Sequence, residues 1–522
     1  MARKWWTLIA VSVATFMLLL DITVVNTALP SISRDLHASF NDLQWVIDSY
    51  TLALAAIVLT AGSLADRLGR RAVFAAGLAI FSLSSLAAGL APNILFLNVS
   101  RAVEGIGGAV MFAVSLALLA QEFAAGRERG TAMGIYGVTL GVSVAVGPLV
   151  GGALTDGPGW RWVFFINVPV GMAALVMTFL KVRESRDPNT RRVDWLGLAT
   201  LSSGLFLLIL ALLRGNDDGW GSTLIVAELV GAAALLGSFV VIEQVVAEPM
   251  LPLVLFRRRS FTGVQLAAFG VSMTMFALFL YLTLYLQDYL RYSPLQAGLR
   301  YLPITMSMFV TAPVAGALLG RVQARVLMGV GLAGTGVGLI LMSGLGQSSG
   351  WTALLPGFIV AGLSVGLLNP VIADVALSVV PKERSGMAAG VNDTFRQVGV
   401  ALGTAVWGAI FLARASSKVG ALLSGTPVAV NGRPRQLVEA FSGGGGFAAV
   451  THTTPPAARQ VVTSAIHQGF LSGLNTILTI GGAVILVGAA LALWLVRERE
   501  IERDGQPEVT TSVVEQLKYV TV

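Results

Sequence analysis

The chain contains no cysteine and only three histidines, and just 12% of its 522 residues are charged. Without thiols there are no disulfides, thiolate metal sites or cysteine nucleophiles. His37, His452 and His467 lack metal-ligand spacing and are expected as solvated residues in or near external segments. So little charge excludes an ordinary soluble enzyme. No basic soluble domain is present, so nucleic acid is not an expected partner, and the net charge of +7 needs another explanation.

Apolar sequence takes the place of what is missing. Hydrophobic residues make up 55% of the chain and mean hydropathy is +0.77. A bilayer-crossing helix needs about 20 predominantly apolar residues. Windows of that size predict fourteen spans, at about 5–29, 43–64, 73–91, 95–121, 131–155, 163–181, 195–213, 223–243, 261–286, 297–321, 326–345, 352–377, 386–411 and 471–496. The reading is an all-α polytopic membrane protein. The first apolar segment is too long for a signal-peptide core and lacks an A-x-A site, so it is expected to be retained.

With the N-terminus inside, alternate loops hold 23 of the 35 Lys and Arg, and half of the ten outside ones fall in one long loop. The positive balance therefore reads as topology, with both termini cytoplasmic. The expected organisation is a first bundle at 1–182, a linker at 183–194, two inserted helices at 195–243, a second linker at 244–260, and a second bundle at 261–496. That second bundle carries an external loop at 412–470, and a solvated tail follows at 497–522. An echo of residues 62–71 after the tenth span, Gly316-Ala-Leu-Leu-Gly320-Arg321-Val-Gln-Ala-Arg325, supports two repeated halves.

Ionisable residues inside a membrane are costly and mark pathways or proton relays. At 1.5 Å per residue, Asp21 and Asp48 each lie roughly 22 Å from the cytoplasmic face. Arg101 and Glu104 lie roughly 10 and 15 Å below the outer face, i,i+3 on one helix. Three carboxylates and one arginine thus share the middle-to-outer layer. Asp21 has no basic residue nearby on its own helix. Desolvation there favours its neutral form and a neighbouring guanidinium its ionised form, the competition a proton-coupled exchanger needs. Asn392, Asp393 and Arg396 open span 13, where i,i+3 spacing suggests a local Asp393–Arg396 salt bridge. Asn369, Asp374, Gln287, Asp288 and Glu228 are weaker candidates.

Gly62-Ser-Leu-Ala-Asp66-Arg67-Leu-Gly69-Arg70-Arg71 separates two spans. It resembles the loop signature of the major facilitator superfamily, G-x-L-a-D-r-x-G-r-r. Gly147-Pro148-Leu-Val-Gly151-Gly152 resembles the superfamily's antiporter motif, except that Ser143 stands where the pattern begins with glycine. Leu20-Asp21-Ile-Thr-Val-Val-Asn26-Thr-Ala-Leu-Pro30, Arg101-Ala-Val-Glu104-Gly105 and Trp160-Arg-Trp162-Val-Phe-Phe-Ile-Asn167 are similar to motifs of the 14-span drug:proton antiporter family.

The resemblance implies the major facilitator fold: two six-helix bundles plus two central helices, rocking around a cavity. It further implies export of amphipathic, drug-like, cation-leaning compounds from a bacterial cytoplasmic membrane. Protons and membrane lipids would be the other partners, the proton gradient the energy source, and a monomer the working unit, with no cofactor. In this reading Asp21 binds the proton, Arg101 sets its proton affinity, and Glu104 and Asp48 are secondary sites. Gly62, Asp66, Arg67, Gly69, Arg70 and Arg71 form a cytoplasmic latch, and Gly147, Pro148, Gly151 and Gly152 an outer seal. Asn26 is a further candidate. A narrow exporter of an amino acid, siderophore, lipid or self-made antibiotic is the alternative, and a proton symporter fits the antiporter motif less well. No nucleophile, metal set or signalling domain points to an enzyme or sensor.

Overall fold

The structure, a computed structural model, describes all residues except 1–2, 39, 124–126, 187–193, 247–248, 382–383, 425–437, 439–458 and 502–522. His452 and most of the expected tail therefore lie outside the described residues.

Among the described residues, twelve helices are long and apolar enough to cross a membrane by length and composition. The other two expected segments are also helical. In chain order the fourteen are α1 (Arg3–Leu36), α2 (Phe40–Leu68), α3 (Arg70–Gly89), α4 (Ile94–Glu122), α5 (Arg127–Asp156), α6 (Trp162–Lys181) and α7 (Trp195–Asp218). There follow α8 (Thr223–Val245), α9 (Arg259–Tyr289), α10 (Leu302–Leu318), α11 (Ala324–Leu341), α12 (Leu355–Ser378), α13 (Ser385–Leu423) and α14 (Arg459–Leu495).

Helix starts are set locally where a short polar side chain can accept an orphan backbone N–H. Asn93 caps α4 through Phe96 N at 2.9 Å, Asp194 caps α7 through Gly197 N at 2.8 Å, and Ser222 caps α8 through Ile225 N. Within α9, π-turns at Ser272–Phe276 and Tyr285–Tyr289 interrupt the α-helical register. The indole of Trp407 on α13 donates to the Met273 carbonyl at 2.6 Å, fixing one π-turn against its neighbour.

Helices α1–α6 pack together around apolar cores that include Leu18, Phe74, Phe81 and Met111. Helices α9–α14 enclose a separate core that includes Phe261, Tyr285, Leu332 and Phe358. The two groups meet along α2 against α13 and α5 against α10. α7 and α8 form a hairpin, and α7 rests on both α2 and α13. Leu52 and Ala55 of α2, Ile209 and Leu212 of α7, and Ala401 and Ala405 of α13 form one cluster. Thr60 and Ser202 hydroxyls join α2 to α7 at 2.8 Å, and Asn216 Nδ2 donates to Ala405 O at 2.9 Å.

A structural echo accompanies the sequence echo. Glu184, just after α6, accepts Arg71 N at 3.0 Å and Ala72 N at 3.1 Å at the start of α3. Glu498, just after α14, accepts Arg325 N at 3.3 Å at the start of α11. Each half thus ends with a glutamate over the N-terminus of its third helix, where a negative charge is favourable.

Inside the expected loop 412–470, α13 runs on to Leu423 and α14 begins at Arg459. Ala, Leu, Lys, Arg and Gln keep these flanks helical after hydropathy has fallen off. His467 is accordingly a helical residue packed on Tyr289, ring centroids 4.7 Å apart, and not a solvated loop histidine.

Candidate functional site

The i,i+3 spacing of Arg101 and Glu104 places both on the face of α4 that meets α1, α2 and α3. Arg101 Nη1 donates to Asp21 Oδ2 of α1 at 2.5 Å and to Glu104 Oε2 at 2.8 Å. Its Nε donates to the Val46 carbonyl of α2 at 3.2 Å, and its guanidinium carbon stands 4.2 Å above the Tyr50 ring. Asn167, where α6 resumes after a break at Ile166, donates to the other Asp21 oxygen at 3.1 Å and to Ser85 Oγ of α3 at 3.0 Å. Asp21, Arg101, Glu104, Asn167 and Ser85 are all essentially inaccessible to solvent. Among the described residues, the buried Tyr50 hydroxyl has no hydrogen-bond partner, and Glu104 Oε1 is buried beside Ser85. The arrangement is two buried carboxylates on one guanidinium.

Asp48 stands half-buried on α2, two residues beyond Val46. Glu228 belongs elsewhere: it pairs with Arg214 of α7 at 3.4 Å inside the α7–α8 hairpin, where Arg214 also holds Asp218 at 2.6 Å. The side chains of Asn26 and Pro148 lie outside the described residues.

At the end of the molecule carrying residues 62–71, Asp66 bridges the two halves. Its carboxylate accepts Gly386 N at 3.0 Å and Met387 N at 2.8 Å, two of the unpaired N–H groups in the first turn of α13. Arg70, also buried, holds the same carboxylate at 2.8 Å and reaches Gln121 of α4 at 3.1 Å. A Cβ on Gly62 would stand 2.3 Å from the Gly386 carbonyl oxygen, so a side chain there would prevent the α2–α13 approach. Gly69 turns the chain at φ +114° beneath Glu184, which pairs with Arg71 at 3.7 Å, and Arg67 donates to Pro249 O at 3.5 Å. Glu184 and Gln121 were not candidates from the sequence.

The expected Asp393–Arg396 ion pair does not form. Arg396 turns to Asn392 Oδ1 at 3.1 Å and across to Asn369 Oδ1 of α12 at 3.2 Å, while Asn392 donates to Gln265 of α9 at 3.0 Å. An amide acceptor one turn back and another on the facing helix take the guanidinium N–H groups, and the i,i+3 carboxylate stays outside ion-pair distance. Asp393 is left buried, its Oδ2 without a hydrogen-bond partner, beside Tyr136 of α5 in the other half.

On α5, a Cβ at Gly147 would lie 1.9 Å from Thr23 Oγ1 of α1, so this glycine permits the α1–α5 contact. Ser143 is buried and bonds its hydroxyl back to Thr139 O at 2.6 Å. Gly151 is also buried, whereas a Cβ on the half-buried Gly152 would meet nothing within 4 Å.

A helical membrane protein of two abutting bundles with a buried polar core and a bridging loop defines a transporter class. The family model of the Major Facilitator Superfamily matches residues 11–404, and the chain belongs to that superfamily, in its drug-efflux branch. It is 35% identical over 516 residues to the tetracenomycin C resistance and export protein of Streptomyces glaucescens, covering 96% of this chain and 93% of that one. It is 37% identical over 409 residues to the puromycin resistance protein pur8 of Streptomyces alboniger, covering 77% and 81%. The multidrug transporter protein MdtP of Bacillus subtilis is 29% identical over 497 residues, covering 92% and 91%. Among solved structures, the human organic anion transporter MFSD10 superposes with a TM-score of 0.62 at 15% identity, covering 94% of this chain and 100% of that one. That likeness speaks to the fold alone.

Proposed function

We propose that this protein is a proton-coupled antiporter that exports amphipathic, drug-like compounds from the bacterial cytoplasm by alternating access. The observation that carries the reading is the buried trio of Asp21, Arg101 and Glu104. With both carboxylates ionised, the trio holds one uncompensated negative charge, and an unpaired buried charge costs several kcal/mol. One proton makes it neutral. The deprotonated form is tolerated only when water or a cationic substrate reaches it, so opening of the cavity and proton occupancy become linked. Asp21 takes the proton in this scheme, Arg101 sets how tightly, and Glu104 and Asp48 are the alternates. Asp393, beside Tyr136 on the seam between halves, is a second candidate contact for protons or cationic substrate.

The Asp66 contact is the latch. Residues 1–182 and 261–496 are the moving bundles, 195–243 the inserted hairpin, and the loop end faces the cytoplasm with both termini, so the latched form is the outward-facing one. The working unit is a monomer in the cytoplasmic membrane, driven by the proton gradient. The test is proteoliposomes with an inside-acid gradient: a transported lipophilic cation dissipates the gradient, and a folded protein that responds to no compound refutes the reading.

A narrow exporter of one antibiotic is the second reading, favoured by relatives named for tetracenomycin C and puromycin. Cells protected against a single compound, not a chemically diverse panel, would select it.

A further inference from the structure

A groove of about 640 Å³ runs between the start of α1 and the outer face of α6, lined by Trp6, Pro169, Met172, Val176, Leu180 and Lys181. The α6 positions recur at i, i+3 and i+4 spacing, so they form one continuous apolar stripe. From Pro169 to Leu180 the stripe is about 17 Å long at 1.5 Å per residue. Half of a hydrocarbon core of about 30 Å is nearly the same length. The groove is therefore about as long as one leaflet is deep.

Its chemistry is asymmetric. The deep part is apolar, and Met172 and Leu180 remain 55% and 69% exposed. At one end the lining carries Lys181, and Arg3, outside the lining, is tied to that residue's backbone. Arg3 Nε donates to Lys181 O at 2.7 Å and its Nη2 to Val182 O at 3.3 Å, fixing a guanidinium over the last turn of α6. Lys181 Nζ stands 5.7 Å from the Trp6 ring, on the rim. Among the described residues lining the groove there is no carboxylate. A ligand matching this shape and charge has a leaflet-length chain and an anionic head.

We propose that this groove is a binding site for one anionic glycerophospholipid, its acyl chain along α6 and its phosphate between Arg3 and Lys181. Basic pockets between membrane helices hold acidic head groups, each cation contributing on the order of a tenfold or smaller preference. Purely annular lipid would follow bulk composition and ignore the two cations. The site shares α1 and α6 with the Asp21 cluster but none of its polar residues, and it stands whether or not the antiporter reading does.

The experiment is native mass spectrometry of the full-length protein in mild detergent, titrated with phosphatidylglycerol or phosphatidylcholine of the same chains. Wild type is expected to retain one phosphatidylglycerol with roughly tenfold preference over phosphatidylcholine. Arg3→Gln combined with Lys181→Gln should erase that preference. Ala173→Trp, which fills the groove without touching the cations, should abolish retention of the lipid itself. Equal binding of both lipids by wild type, or a preference that survives Ala173→Trp, would overturn the proposal. So would displacement of the lipid by a transported drug.

Discussion

Replacing Asp66 by Asn should release the two halves at the loop end, and the structure gives the size of the effect. Asp66 makes contacts of two kinds. The pair with Arg70 lies within the first half, four residues along the same chain turn, and persists whether or not the halves separate. The bonds from Gly386 N and Met387 N cross between halves and exist only when the latch is closed. Hydrogen bonds to a charged group contribute about 1.5–3 kcal/mol each. Asparagine keeps one neutral acceptor and loses the other bond and the charge. The closed state should therefore lose about 2–4 kcal/mol, a shift of roughly 30- to 1000-fold in the closed-to-open ratio. Because the chain has no cysteine, spin labels can be placed directly at Leu68→Cys and Arg325→Cys, both on the surface of the loop end. Pulsed dipolar spectroscopy should show a longer distance gaining population in Asp66→Asn. An unchanged distribution would refute the latch.

Gly62→Val should mimic that phenotype, since its Cβ meets the Gly386 carbonyl at 2.3 Å and backbone cannot move aside cheaply; the same labels measure it. Arg101→Lys should cut coupled flux at least a hundredfold, because one amine cannot reproduce the bonds to Asp21, Glu104 and Val46 O. Near-normal flux in that variant would mean the fork geometry is dispensable. Asn167→Ala removes a buried donor to Asp21 and should slow transport about tenfold or more at unchanged expression, a loss that matches a hydrogen bond to a charged group. Linking α7 to both halves at once, through the cysteine pairs Thr60→Cys with Ser202→Cys and Asn216→Cys with Ala405→Cys, should stop turnover until reductant is added. Full turnover with both links formed would mean that the α2–α13 seam does not move.

What could be read from the sequence divides along physical lines. Hydropathy located the spans, because a low-dielectric solvent demands apolar helices with satisfied backbones. The Arg101–Glu104 contact followed from helix periodicity, and the common depth of Asp21 followed from rise per residue. Asn167 shows no role in the sequence, because its partner is 146 residues away and an asparagine announces nothing until its neighbour is known. Glu184 reads as part of a polar linker for the same reason, although it holds the N-terminus of α3. Arg396 went astray in the opposite direction. Periodicity permitted Asp393 but equally Asn392 one turn back, and only packing shows that α12 brings Asn369 to the guanidinium while Gln265 of α9 holds Asn392. Depth and periodicity are one-helix properties; the polar network is set by which helices touch.

The central claim is that Asp21 carries the coupling proton, and proteoliposomes bearing an inside-acid gradient test it most directly. Wild type and Asp21→Asn would be compared against a panel of lipophilic cations, neutral drugs and anions, with folding checked in each. The account predicts substrate-dependent proton movement in wild type and its loss, by tenfold or more, in Asp21→Asn. Coupling of wild-type size in Asp21→Asn would contradict it and move the proton to Glu104 or Asp48.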